Sequence, residues 1–203
     1  MDYVALILFV IATSITPGPN NILILASGVN YGIKKSLPHF LGINVGFPVV
    51  IIAAGLGAGI LFKQFPVLHT VLKVVGICYL LYLAYRVATA STDKLNTEKK
   101  KPFTFIQAAL FQWVNVKAWI MAIGAVVTFA PADGNYALQV GTITLAYILF
   151  GLPCTGLWLL FGASLKDFLA DPARIRIFNI VMALLLVASL IPTMHELYVQ
   201  FMV

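Results

Sequence analysis

Six stretches of the chain are hydrophobic and long enough to cross a bilayer: Tyr3–Val29, His39–Phe62, Val67–Ala90, Phe103–Ala130, Tyr136–Leu165 and Ile175–Met194. Each reaches the ~20 residues a helix needs to span the hydrocarbon core. The connections are short. The one clear polar linker is Ser91–Pro102, which contains Lys94, Glu98, Lys99, Lys100 and Lys101. It divides the chain into two halves of three segments, residues 1–90 and 103–203. The pattern predicts an all-α integral membrane protein forming a single transmembrane domain over residues 1–203.

Segment one is interrupted by Ser14-Ile-Thr-Pro-Gly-Pro-Asn-Asn21. Pro17 and Pro19 each remove a backbone donor and clash with the preceding helical turn, and Gly18 between them adds backbone freedom. No continuous helix is expected through this point. Broken backbone at membrane depth survives only where protein buries it or where it lines a polar cavity, and transporters place substrates at such breaks. A packed proline kink is the alternative reading. Segment four carries a second interruption, Trp113-Val-Asn-Val-Lys117. Three spans per half force the halves into opposite orientations if they share a fold. Two inverted three-segment halves, broken in segments one and four, are therefore expected, although the halves resemble each other only weakly residue by residue.

The remaining segments show packing signals. Gly42-x-x-x-Gly46 and Gly55-x-x-x-Gly59 in segment two suit close helix approach. Asn44 and Pro48 lie in the same segment, and Asn44 either satisfies freed backbone groups or faces a cavity. Tyr79, Tyr82 and Tyr85 before Arg86 mark a membrane interface. Gly151-Leu-Pro153 predicts a kink in segment five. Segment six reads as a scaffold or an oligomer face, which leaves a homodimer open.

Of the 203 residues, 61% are hydrophobic and only 10% charged, against about 25% charged in soluble domains. The net charge of +6 describes topology rather than a nucleic-acid partner. Ten of the thirteen Lys and Arg fall on one side: Lys34, Lys35, Arg86, Lys94, Lys99, Lys100, Lys101, Lys166, Arg174 and Arg176. That side is expected to be cytoplasmic, with both termini outside. A cleaved leader is not expected, because the first residues carry Asp2 and no Lys or Arg. Cys78 and Cys154 lie apart in apolar runs, which suits packing rather than redox or metal chemistry. No cofactor or metal is expected.

All seven acids lie outside the spans, and Lys117 is the one base placed deep in a segment. An intramembrane charge is costly and faces a cavity or a partner. Lys117 therefore either meets a substrate carboxylate or serves structurally, by snorkelling or by bonding unwound carbonyls. Trp113, one turn away, offers a cation–π contact. A helix starting near Asn20 or Asn21 offers free N–H groups and a positive dipole end to a carboxylate. The candidate substrate-binding residues are thus Pro17, Gly18, Pro19, Asn20, Asn21, Asn115 and Lys117, with Thr16, Asn44, Gln112 and Trp113 as further cavity candidates.

The run Thr16-Pro-Gly-Pro-Asn-Asn21 resembles the signature of the LysE/RhtB family of bacterial amino-acid exporters. Gly28, Gly32 and Gly42 follow it at the family's glycine spacing, and Asn115-Val116-Lys117 opens the second half where the family commonly has Asn-Pro-Lys. Val116 stands in place of that proline, so a softer second break is expected. In Pro17–Leu25, Phe111–Lys117 and Asn179–Val187 the likeness is to the branch exporting cysteine and O-acetylserine. The resemblance implies efflux of amino acids or close derivatives across the bacterial cytoplasmic membrane, with protons as the coupling ion. A channel or pore subunit is the rival reading. A membrane enzyme would need a nucleophile–base pair or metal ligands, and the three histidines (His39 and His69 near segment ends, His195 past the last) supply neither.

Overall fold

The computed structural model describes residues 1–58, 64, 66–90, 102–130, 135–169 and 171–202. Linker positions 91–101, Gly59 and the short loop at 131–134 lie outside the described residues. Every regular element among the described residues is helical. Helix α1, Tyr3–Ile15, is capped by Asp2, whose Oδ1 accepts from the backbone N–H groups of Val4 and Ala5. Helix α2, Pro19–Ala53, runs into a π-helical turn at Ala54–Ala58. Then come α3, Pro66–Ala88; α4, Phe105–Val114; and α5, Val116–Phe129. Helix α6, Tyr136–Ala146, passes through a π-helical turn at Tyr147–Gly151 into α7, Leu152–Phe168. The kink expected near Pro153 is thus a π turn ending just before it. Helices α8, Pro172–Ala188, and α9, Ile191–Met202, complete the chain.

Among the described residues four helical stretches are long and apolar enough to cross a membrane: Pro19–Gly57, Thr70–Ala88, Tyr136–Phe168 and Pro172–Val199. A fifth is α4 with α5, taken as one span bent by 67°.

The 39-residue stretch from Pro19 is not a rod. Gly32 has φ 74° and ψ 176°, a conformation open essentially to glycine alone. Ser27 Oγ and His39 Nδ1 lie 2.8 Å apart. Twelve residues of straight helix would separate them by about 18 Å. The chain therefore doubles back at Gly32, and α2 is a hairpin of two helical arms, 19–31 and 33–53. His39, read from sequence as lying near a segment end, is only 1% exposed. The hairpin encloses it, and its ring stacks on Phe103 at 4.9 Å.

Helix α7 lies against the first arm at backbone contact. A Cβ on Gly28 would sit 2.6 Å from the Leu159 carbonyl oxygen, and one on Gly162 would strike the Leu25 carbonyl. Gly46, in the second arm, meets Ala109 of α4 in the same way, as its small-residue spacing suggests. One apolar cluster joins α1, the second arm, α5 and α6 through Leu6, Val10, Val50, Ala122 and Ile143. Another joins the first arm, α3, α4 and α8 through Ile22, Leu83, Phe111 and Leu186. Leu41, Val45, Val49 and Ile52 are exposed along one stripe of the second arm. In α8, Ile177, Ile180, Val181 and Leu184 are exposed likewise. Continuous apolar stripes of this kind suit contact with lipid tails.

The turn at Gly32 is testable. Gly32→Ala should cost about 1–3 kcal/mol, the usual strain of a side chain forced into that region. Gly141→Ala, with open space around the new methyl group, should be neutral or stabilising. Thermal melting in detergent would compare the two, and equal melting temperatures would argue against the hairpin geometry.

Candidate functional site

Helix α1 ends against two prolines. Thr16, preceding Pro17, is extended at ψ 145°, as steric contact with a following proline ring requires. Gly18 is fully extended, and Pro19 occupies the first turn of α2, where its missing N–H is harmless. The last carbonyls of α1 therefore find no helical donor, and side chains supply all of them. Thr16 Oγ1 donates to the Thr13 carbonyl at 2.9 Å. Asn21 Nδ2 donates to the carbonyls of Ser14 at 2.7 Å and Thr16 at 2.9 Å. Trp158 Nε1 donates to the Ile15 carbonyl at 3.1 Å. Lys117 Nζ donates to the Thr16 carbonyl at 3.0 Å, Thr16 Oγ1 at 2.9 Å and the Pro17 carbonyl at 3.1 Å.

Asn115 forms the second break. It is extended (φ −84°, ψ 101°) and serves both as the last cap of α4 and the first of α5. The 67° bend occurs without a proline at position 116, so the softer break expected there is still a sharp one. Trp119 Nε1 donates to the Trp113 carbonyl at 2.8 Å. An indole thus caps the ending helix at both breaks. Gln112, fully buried, pairs amide to amide with Asn20 at 2.8 and 3.1 Å. That pair ties the two breaks together.

Between the breaks lies a cavity of about 540 Å³, counting its open mouth. Gly18, Asn20 and Asn21 line it from the start of α2, and Asn115, Lys117 and Ala118 from the start of α5. Asn44, Phe47 and Pro48 of the second arm form another wall, with Tyr147, Gly151 and Thr155 opposite. Two helix N-termini thus face one space, and helix N-termini favour anions. Among the described residues no carboxylate lines it. Asn115 is 2% exposed, and its Oδ1 has no hydrogen-bond partner among the described residues. A buried amide oxygen left bare in this way costs stability unless a ligand or water reaches it.

Most sequence candidates converge here. Gly18, Asn20, Asn21, Asn44, Asn115 and Lys117 line the cavity. Pro17, Pro19 and Thr16 shape the break behind it, and Gln112 backs Asn20. Asn44 lines the cavity, and its side chain donates to the Phe40 carbonyl one turn back in the same helix at 2.8 Å, which is not a carbonyl that Pro48 frees. Trp113 is not in the lining. It is 39% exposed, and its ring packs on Trp119 at 5.9 Å because the helix bend turns it away from Lys117. The lysine's neighbours are oxygens instead. Lys73, near the start of its span, is also buried, at 4% exposure. Sequence reading did not single out Tyr147 or Trp158, and it took Ser14 only as the first residue of the broken stretch. Tyr147 OH lies 3.1 Å from Thr13 Oγ1. Lone polar groups within apolar runs were the only signal for them.

A multi-pass helical membrane protein with a polar cavity between two broken helices has the arrangement of a secondary transporter. The chain belongs to the LysE family: the LysE type translocator family matches it over residues 11–189. It is 33% identical to the cysteine/O-acetylserine efflux protein of Escherichia coli O1:K1 / APEC, over 88% of this chain and 90% of that one. The proteins of the same name from Escherichia coli strain K12 and Shigella sonnei strain Ss046 are 32% identical, with the same coverage. No solved structure matches the chain.

The carbonyl caps provide a test of the site's architecture. Asn21→Ala strips a donor from the part-buried contacts to the Ser14 and Thr16 carbonyls, of which only Thr16 keeps another donor in Lys117, and should destabilise the protein by about 1–3 kcal/mol. Asn21→Asp turns an acceptor towards the same carbonyls and should destabilise it further. Thermal melts of both variants check the order, and an aspartate variant as stable as the native protein would contradict the geometry.

Proposed function

We propose that the protein is a secondary transporter exporting small amino acids or close derivatives across the bacterial cytoplasmic membrane, coupled to protons. The observation that carries this reading is the cavity itself. Two helix N-termini and Lys117 give it a positive wall for a carboxylate, and among the described residues it holds no acid to repel one. Its oxygen acceptors are amides, hydroxyls and freed carbonyls, which suit an ammonium group without trapping it in a strong ion pair. The efflux proteins named above support cysteine-like or other small neutral substrates. The half of the cavity formed by Phe47, Pro48 and Met121 is apolar and would take a short side chain.

In this reading the chain crosses the membrane six times, as two inverted halves. Counting the hairpin arms of α2 separately, and α4 with α5 as one, supports six passes. Both termini are outside. Lys34 and Lys35 follow the Gly32 turn, the Lys166 ammonium lies beside it, and Arg86 shares a groove with Tyr31. This grouping of basic residues at one end supports a cytoplasmic turn. Lys117 is assigned the substrate carboxylate, and its protonation links binding to the proton gradient.

Reconstituted vesicles test transport directly. Native protein should move cysteine or O-acetylserine in preference to large or acidic amino acids, and a proton gradient should drive it. Pro17→Ala with Pro19→Ala should insert but transport poorly, because both changes favour continuous helix. Lys117→Met should lose most transport. Full efflux by the double proline variant at matched abundance would reduce the break to packing.

Topology is checked separately. A cysteine at Lys35 should react with impermeant thiol reagents only from the cytoplasm, and one at Tyr3 only from outside. The opposite pattern would overturn the orientation and the assigned direction of transport.

A further inference from the structure

Three oxygens converge on the Lys117 ammonium: the Thr16 carbonyl, Thr16 Oγ1 and the Pro17 carbonyl, at 2.9–3.1 Å. A primary ammonium has three N–H donors, and here each has an acceptor. Gly18 makes the approach possible, since a Cβ there would lie 2.9 Å from Nζ and 2.7 Å from Cδ. The φ of Gly18 is 178°, an extended value any residue adopts, so space rather than backbone freedom calls for glycine. Two of the three oxygens are backbone groups released by the proline break, and they persist whatever residue stands at 117. The ammonium reaches them from a different helix, on a flexible stem, and lines the cavity on its way.

We infer that these oxygens form a primary-ammonium site which Lys117 fills from within the chain, and that the substrate's own ammonium takes it over when it binds. Lys117, once displaced, is free to pair with the carboxylate of the same molecule. The amino acid thus exchanges places with a side chain that carries the same group. No bond is made or broken, and the net charge at the oxygens stays constant through the exchange. An anion lacking an ammonium would leave Lys117 where it is and gain only the helix termini. The biological meaning of the exchange rests on the transport reading, whereas the ammonium site rests on the geometry alone.

The test uses methylammonium as the probe, with Lys117→Ala and Lys117→Ser purified in detergent. Melting temperatures are measured in methylammonium chloride, sodium chloride and choline chloride at equal concentration. Methylammonium should raise the melting temperature of both variants by roughly 2–4 °C over choline and leave the native protein unchanged. Adding Thr16→Val to Lys117→Ala removes one oxygen and should abolish most of the rise. An equal rise in sodium would make the site a general cation site and overturn the ammonium assignment. No rise in folded variants would overturn the proposal, as would aggregation of both variants in methylammonium as in choline. Failure of native vesicles to export any amino acid would sink the transport reading instead and leave the melting result standing.

Discussion

Everything around the cavity follows from carbonyl groups that have lost their helical donors in a medium that supplies none. A backbone acceptor in the membrane interior must find a partner within the protein. Pro17 and Pro19 free the carbonyls from Thr13 to Pro17, and Thr16, Asn21, Trp158 and Lys117 answer them. Those side chains come from the break itself, from α2, α5 and α7. The requirement to satisfy one broken turn therefore gathers three helices around it. The cavity is the space left between these partners.

The break at Pro17–Pro19 was legible in sequence because it is local chemistry: two missing donors within three residues. The bend at Asn115 was legible only as polar residues interrupting an apolar segment, and it shows that the proline is dispensable when Gln112–Asn20 and Trp119–Trp113 bonds hold the geometry. The partners of the freed carbonyls were less accessible. Lys117 and Trp158 reach the break from 100 and 143 residues away, and no periodicity encodes such contacts. Trp113 was assigned to the lysine on helical spacing, which fails where the helix bends between them. The stretch between Val29 and His39 read as a connection, since its lysines and proline interrupt the apolar run. The structure keeps it helical except at Gly32, because a single residue with positive φ suffices to reverse the chain.

The electrostatics of the site are built almost entirely from backbone. Two helix starts point into one cavity, and each carries its partial positive charge without desolvating an ion. Fixed dipoles of this sort hold a ligand less tightly than a buried carboxylate or guanidinium would. The one full charge in the lining is engaged by neutral oxygens. Asn115 Oδ1 remains bare against that background. Ser36 Oγ and Gln139 Oε1 are unpaired likewise among the described residues, but of the three only Asn115 lines the cavity.

The one-residue turn at Gly32 also leaves no slack between the two arms of α2. A loop of several residues would let the arms slide past each other, but Gly32 and the Ser27–His39 bond fasten them at their shared end. Helix α7 is seated on the first arm through Gly28 and Gly162 at backbone distance. These three rods form one stiff lever. Any bending of the cavity walls must fall elsewhere, and the extended residues at Thr16–Gly18 and Asn115 are the places where those walls are not helical.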